Sequence, residues 1–266
     1  MPEHVAAHPE VMVHQLTIRT TDTTLRGCLV VPRTARSIVL FAHEGGGERA
    51  RMPTRFLAAY LRDQGIATLL LDLMTPEEEA DDAGTGHLRY NERLLGRRLS
   101  ECTVWTQRHE ETRRLEVGYC GVGTGAAAAL TASACGGRNV KALVSLAGRA
   151  DLAEEVIADI KTPALFIAPG ADQILIDIGQ RARRKMRTQA QFAIVPRASS
   201  SWEEPGGVEE AARFVGEWFE RFLPAPHGWS PSPTPPHIDH YSFGRMRVNG
   251  VEYTRDLIVF PDGVRA

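Results

Sequence analysis

The chain has 266 residues, 43% of them hydrophobic and 24% charged, which is enough apolar material for one large α/β core and too much for general disorder. With 31 basic and 33 acidic residues the formal charge is -2, so no global electrostatic argument favours nucleic acid or an anionic membrane as partner. The opening residues lack the basic and apolar regions of a secretory signal, and no later stretch is long and apolar enough to span a bilayer, so the sequence reads as cytoplasmic.

In chain order, residues 11–19 alternate apolar with polar and residues 25–31 return after a Thr/Asp turn, which predicts an antiparallel opening hairpin. Residues 37–43 read as a buried strand ending in Glu44-Gly45-Gly46-Gly47. The helix that follows carries Leu57, Tyr60 and Leu61 on one face and stops at Gly65. Residues 66–71 form another buried strand, closed by Asp72. Residues 73–87 are acidic and rich in turn formers, so they read as a surface loop able to cover a site. A long helix is expected over residues 90–107, with Leu95, Leu99, Cys102 and Trp105 on one stripe.

An apolar strand then leads into Gly121-Val122-Gly123-Thr124-Gly125 and a run of small residues that opens a helix. Residues 140–146, 164–168 and 190–195 supply three more strands. Residues 208–223 form an amphipathic helix on Val208, Ala211, Val215, Trp218, Phe219 and Phe222. Strands alternating with helices after an antiparallel start predict a mostly parallel sheet covered on both faces, with its crevice at the carboxyl ends of the strands. Residues 1–223 make this main domain. Residues 224–236 hold six prolines and read as a stiff linker. Residues 237–266 contain two strand patterns around Asn249-Gly250, the signature of a β-hairpin appendage.

Cys28, Cys102, Cys120 and Cys135 form no C-x-x-C pair and are expected to be free thiols rather than metal ligands. The nearest approach to a metal motif is His237-Ile238-Asp239-His240, outside any clear helix, so neither metal nor cofactor is expected. Gly121-x-Gly123-x-x-Ala126 also fits the dinucleotide fingerprint. However, the strand after it ends Ser145-Leu146-Ala147-Gly148, with no acid until Asp151 to take a ribose.

The segment from 121 to 125 has the frame of the nucleophile elbow Gly-x-Ser-x-Gly, with glycine in the reactive position. Four blocks join it in resembling the dienelactone-hydrolase-like branch of the α/β-hydrolase superfamily. They are Leu-Phe-Ala-His-Glu-Gly-Gly-Gly at 40–47, Leu-Leu-Leu-Asp-Leu-Met-Thr-Pro-Glu-Glu-Glu at 69–79, Gly-Thr-Gly-Ala-Ala-Ala-Ala-Leu at 123–130 and Trp-Glu-Glu-Pro-Gly at 202–206. The resemblance spans residues 28–223 and implies an α/β-hydrolase fold and acyl-transfer chemistry on an ester or lactone, by a Ser or Cys nucleophile, a His base and an Asp. On this chain it places the nucleophile at Gly123, the acid at Asp172 and the base at Ser200, so two of three roles fall on residues unable to perform them. It leaves the backbone N–H groups of Glu44, Gly45 and Thr124 to hold a carbonyl oxygen or an anion. Cys120, in Gly118-Tyr119-Cys120, resembles the Gly-Tyr-Cys of dienelactone hydrolases and is an alternative nucleophile; the competing reading is a thiol packed in the sheet.

Residues 241–264, through Tyr-Ser-Phe-Gly-Arg, Gly-Val-Glu-Tyr-Thr and Asp-Leu-Ile-Val-Phe-Pro-Asp-Gly-Val, resemble the start of a small β/α domain family that includes a mitochondrial complex I assembly factor. That resemblance implies a protein partner or a homo-oligomer formed by strand pairing. The sequence therefore points to a degenerate hydrolase that binds a small carbonyl or anionic ligand or a partner. A residual hydrolase using Cys120 and an assembly protein acting through its last residues are the alternatives.

Overall fold

The structure is a computed structural model. It describes residues 11–43, 52–136 and 139–224 and the C-terminal strands within 238–265. The chain divides into two compact units, Met1–His227 and Gly228–Ala266.

The first unit is built on an eight-stranded sheet. Its strands are β1 (Val11–Arg19), β2 (Thr24–Pro32), β3 (Ser37–His43), β4 (Ala67–Asp72), β5 (Glu116–Val122), β6 (Val140–Leu146), β7 (Ala164–Pro169) and β8 (Ala190–Val195). Their order is β1-β2-β4-β3-β5-β6-β7-β8. β1 and β2 pair antiparallel, β2 meets β4 antiparallel, and from β4 to β8 every neighbouring pair is parallel. The predicted hairpin and mostly parallel sheet are both present.

Its described residues include the α-helices α1 (Met52–Asp63), α2 (Pro76–Asp82), α3 (Glu92–Thr106), α4 (Gly125–Gly136), α5 (Gln173–Lys185) and α6 (Gly207–Phe222). Every side chain of β3 is buried, as a strand covered on both faces requires. Ile38, Leu40 and Ala42 join one apolar cluster with Leu95 and Leu99 of α3, Ala127 to Leu130 of α4 and Ile178 of α5. Val39 and Phe41 point the other way, into a cluster with Leu57 and Leu61 of α1 and Val215, Trp218 and Phe219 of α6. The alternation of strand side chains thus divides the core into two layers.

The first unit differs from its predicted elements in two places. The acidic stretch 73–87 contains α2, which starts with a full capping box: Thr75 accepts from the Glu78 N–H while the Glu78 carboxylate accepts from the Thr75 N–H. α5 was not among the predicted helices. Asp172 caps it, its apolar face is buried at Ile176, Ile178 and Ala182, and Arg183, Arg184 and Lys185 close it.

The second unit contains β9 (Ile238–Ser242), β10 (Arg245–Val248) and β11 (Val251–Tyr253) in a three-stranded antiparallel sheet, and a ribbon of β12 (Ile258–Phe260) and β13 (Gly263–Arg265). β10 and β11 pair across positions 249–250, the predicted turn. No helix among the described residues is long and apolar enough to cross a membrane.

Candidate active site

After β3 the chain crosses to β4 on one side, and β5 then lies on the other side of β3. The carboxyl ends of β3 and β5 therefore flank the point where the winding reverses, and an open α/β sheet forms its crevice there. Residues 44–51, which include the proposed oxyanion donors Glu44 and Gly45, lie outside the described residues. The other side of the crevice is the turn from β5 into α4.

That turn is tightly packed. A Cβ added at Gly121 would stand 2.4 Å from the Ala126 Cα, and one added at Gly125 would stand 2.1 Å from the Ala42 carbonyl oxygen. Both glycines are therefore fixed by packing, because α4 lies too close to β3 and β5 for any side chain there. Gly123 between them is different. It has φ +58 and nothing within 4 Å of an added Cβ. Its N–H donates to the Leu146 carbonyl and its own carbonyl accepts from the Arg149 N–H, so its backbone is held while the space for a side chain stays open. Thr124, at the start of α4, is buried.

Asp172 and Ser200 lie on the loops after β7 and β8, which are bonded to each other. The Gly170 N–H donates to the Val195 carbonyl at 2.8 Å and the Ala171 N–H to the Ala198 carbonyl at 2.9 Å, which joins the two loops. Asp172 is half-buried and its Oδ1 accepts from the Leu175 N–H at 3.0 Å as the cap of α5. Ser200 is exposed on the second loop. Arg197 at φ 62 and Trp202 at φ 60 bracket it, both in the left-handed region that costs a side-chain-bearing residue about 1–2 kcal/mol. Trp202 is nonetheless buried in the second apolar cluster, and the Glu204 carboxylate accepts from the Ser199 N–H. That hydrogen bond holds the Glu204 carboxyl below its ordinary range.

Cys120 is fully buried on β5, facing the α1 and α6 layer. Burial raises its thiol well above the ordinary cysteine range, which opposes formation of a thiolate. Gly118, the first residue of the alternative motif, is occupied structurally: a Cβ there would stand 2.8 Å from the Phe219 ring. All four cysteines are free, with Cys102 also buried, Cys28 half-buried and Cys135 exposed. Among the described residues no three His, Cys, Asp or Glu side chains are grouped to hold a metal ion, and His237 falls outside those residues.

Two arginine clusters were not predicted. Arg149, whose N–H meets the Gly123 carbonyl, makes a paired contact with Asp151 at 2.8 and 2.7 Å. Its guanidinium also lies 5.8 Å from the centroid of the half-exposed Tyr90 ring. On the far side of α3, Arg98 is 2% exposed and donates to Asp22, to Glu78 and to the Leu73 carbonyl.

The chain resembles a dienelactone hydrolase from Anabaena variabilis: 39% of residues are identical, the TM-score is 0.77, and the match covers 82% of this chain and all of that one (100%). This chain belongs to the dienelactone hydrolase family. The fold of this dienelactone-hydrolase-like chain is shared more widely. Est1E from Butyrivibrio proteoclasticus matches 78% of it with TM-score 0.64 at 12% identity, and an α/β serine hydrolase without lid from Xanthomonas campestris matches 80% with TM-score 0.63 at 18% identity. At those identities the likeness is one of fold alone. Two Mycobacterium tuberculosis proteins, each named "putative phosphoribosyl transferase", are 38% identical over 225 residues, which is 84% of this chain and 50% of theirs. The chain thus spans about half the length of the curated relatives it matches. No protein-family model matches the sequence.

Proposed function

We propose that this dienelactone-hydrolase-like protein does not carry out covalent ester or lactone hydrolysis, and that its crevice holds a small carbonyl or anionic ligand or a partner group. The observation that carries this reading is Gly123, a residue with no side chain at the tip of an elbow whose frame is otherwise intact. Acyl transfer by this fold needs a nucleophile at that tip and a base within hydrogen-bond reach of it. Neither Gly123 nor Ser200 supplies those groups, and Asp172 alone has no imidazole to orient. Nucleophile and base act as a unit, so losing either removes most of the rate and their joint loss adds little more.

The persistence of the site's shape supports a binding role. The strained residues Arg197 and Trp202 still frame the loop beside Asp172. Strain of this kind persists where the surroundings impose it, and it is common at ligand sites. Thr124 at the start of α4 would offer a backbone N–H to an oxygen in the crevice. Cys120 lacks the exposure and thiolate character of a nucleophile.

The test is restoration. The native protein should neither hydrolyse p-nitrophenyl esters nor label with a fluorophosphonate, and Gly123→Ser combined with Ser200→His should gain both properties. Stoichiometric thiol labelling that depends on Cys120, accompanied by turnover in the native protein, would overturn the proposal.

A second reading is favoured by the C-terminal strands. A three-stranded sheet and a two-stranded ribbon this short are marginal alone and leave edges able to pair with another chain. In this reading the second unit recruits a protein partner or a second copy. Deleting residues 237–266 should then lower the oligomeric mass measured by light scattering, and an unchanged mass removes the homo-oligomer.

A further inference from the structure

The strands from β3 to β8 all run the same way, so the loops that enter them lie at one end of the sheet, opposite the crevice. Hydrogen bonds hold those loops side by side. The Glu116 N–H at the start of β5 donates to the Arg36 carbonyl ahead of β3 at 3.0 Å, and the Leu143 N–H of β6 to the Pro163 carbonyl ahead of β7 at 2.9 Å. The Ala164 N–H donates to the Gln189 carbonyl ahead of β8 at 3.0 Å, and Thr188 Oγ1 to the Lys161 carbonyl at 3.2 Å.

This end of the sheet is basic. Arg36 precedes β3, Arg113 and Arg114 precede β5, and Lys161 precedes β7. α5 runs back to the same end, where Arg183 and Arg184 in its last turn and Arg187 beyond it precede β8. All seven are exposed, and among the described residues none has an ion pair or a hydrogen bond through its side chain. Lys141 and Lys185 beside them are already matched, to Glu116 and to Glu154. The acids of these loops are Glu110 and Glu111, and Glu111 is set against His14 and His109 at 3.4 and 3.8 Å. The macrodipole of α5 accounts for Arg183 and Arg184 at its C-terminus. It gives no reason for Arg36, Arg113, Arg114 and Lys161, which stand outside any helix. The formal charge of -2 thus conceals an uneven distribution, with acids gathered beyond the other ends of the strands in α2 after β4 and at Glu203 and Glu204 after β8.

We propose that this end of the sheet binds the phosphate backbone of double-stranded DNA without reading its sequence. The entrances to β3, β5, β6, β7 and β8, neighbours in that order, span about 20 Å at the ordinary spacing of strands. A single phosphate group cannot reach from Arg36 to Arg187, whereas a duplex offers about twelve charges over that length. Six of the seven cations are arginines, whose guanidinium fork pairs with phosphate oxygens two at a time. A membrane surface or an acidic protein would call for apolar contact as well. The exposed large hydrophobic side chains among the described residues, Val13, Tyr90, Val104, Ile174 and Ile194, all lie outside these loops. A polar face with a local excess of positive charge is the composition of a protein–DNA interface.

Fluorescence anisotropy of a labelled DNA duplex with the full chain tests the proposal. Bound through six or seven of these side chains, the duplex should lose about a thousandfold in affinity between about 50 and 200 mM salt, and unrelated base sequences should behave alike. Arg113→Gln with Arg114→Gln, and separately Arg183→Gln with Arg184→Gln, should each reduce the slope of log affinity on log salt by about two. Arg93→Gln with Arg213→Gln removes the same charge elsewhere and should leave the slope near that of the native protein. All six positions are exposed, so the three variants should keep thermal midpoints close to native. No binding of the duplex at about 50 mM salt, a slope that neither pair at this end of the sheet moves, or tighter binding to phosphatidylserine vesicles than to the duplex would overturn the proposal.

Discussion

At Gly123 the backbone and the missing side chain make separate demands. A serine there meets no steric obstacle, since nothing lies within 4 Å of its Cβ, but it must adopt φ +58. Gly123→Ser should therefore cost about 1–2 kcal/mol, the penalty of the left-handed region, and leave the protein folded. Gly125→Ala is the opposite case, with unremarkable φ and a Cβ placed 2.1 Å from the Ala42 carbonyl oxygen. It should cost at least about 3 kcal/mol, the upper end of overpacking, or prevent folding. Denaturant midpoints of the two variants check the order; equal losses would mean that the elbow relaxes more readily than its packing implies.

Among elements, the β1–β2 turn, α2 and α3 meet at Arg98. Its hydrogen bond to Glu78 holds that carboxyl below the ordinary range. Burial raises Asp22, but its contacts with Arg98 and Arg97 more than offset this and leave its value lowered. A depressed carboxylate contributes stability that is present above its unfolded value, near pH 4, and lost as pH falls through its folded one. Stability of the native protein should accordingly fall below about pH 5. Arg98→Met should cost about 1.5–3 kcal/mol at neutral pH, because it removes the Arg98 donors from Asp22, Glu78 and the Leu73 carbonyl while Arg97 stays with Asp22 and the Thr75 N–H with Glu78. The same variant should show a shallower loss between about pH 5 and 3, because the two carboxylates no longer have the Arg98 contact that holds them low. Chemical denaturation as a function of pH measures both effects.

The same elements show what the sequence discloses. The sheet and its long helices are legible because their signal is local and repeats, as in the buried run of β3 and the stripe of α3. The strand-to-helix turn around Gly123 is legible because it sits inside a short glycine motif. α2 carries a readable start in Thr75-Pro76-Glu77-Glu78, yet an acidic composition with almost no apolar residue resembles a loop; the capping box is the stronger cue. α5 likewise has a capping aspartate, apolar residues at helical spacing and a basic end. Arg98 is not legible at all. Its partners Glu78 and Asp22 stand 20 and 76 residues away, and nothing in the pattern of a surface helix marks one arginine among several as buried.

At the scale of the first unit, the turn from β5 into α4 leads from Cys120 in one apolar cluster to Ala127 in the other. α4 descends from it with nine buried residues from Gly125 to Ser133, packed against β3, β5 and β6. A helix enclosed this completely must be built from small side chains, and its first turn must carry Gly125 whether or not anything reacts nearby. Selection for folding alone is therefore enough to preserve Gly121, Gly125 and the descent of α4. Gly123 is favoured by its φ of +58 alone, because a side chain there would stand in open space. On this scaffold the packing around Gly121 and Gly125 fixes the shape of the turn, whereas a side chain at position 123 would change what the crevice offers and leave the seat of α4 as it is.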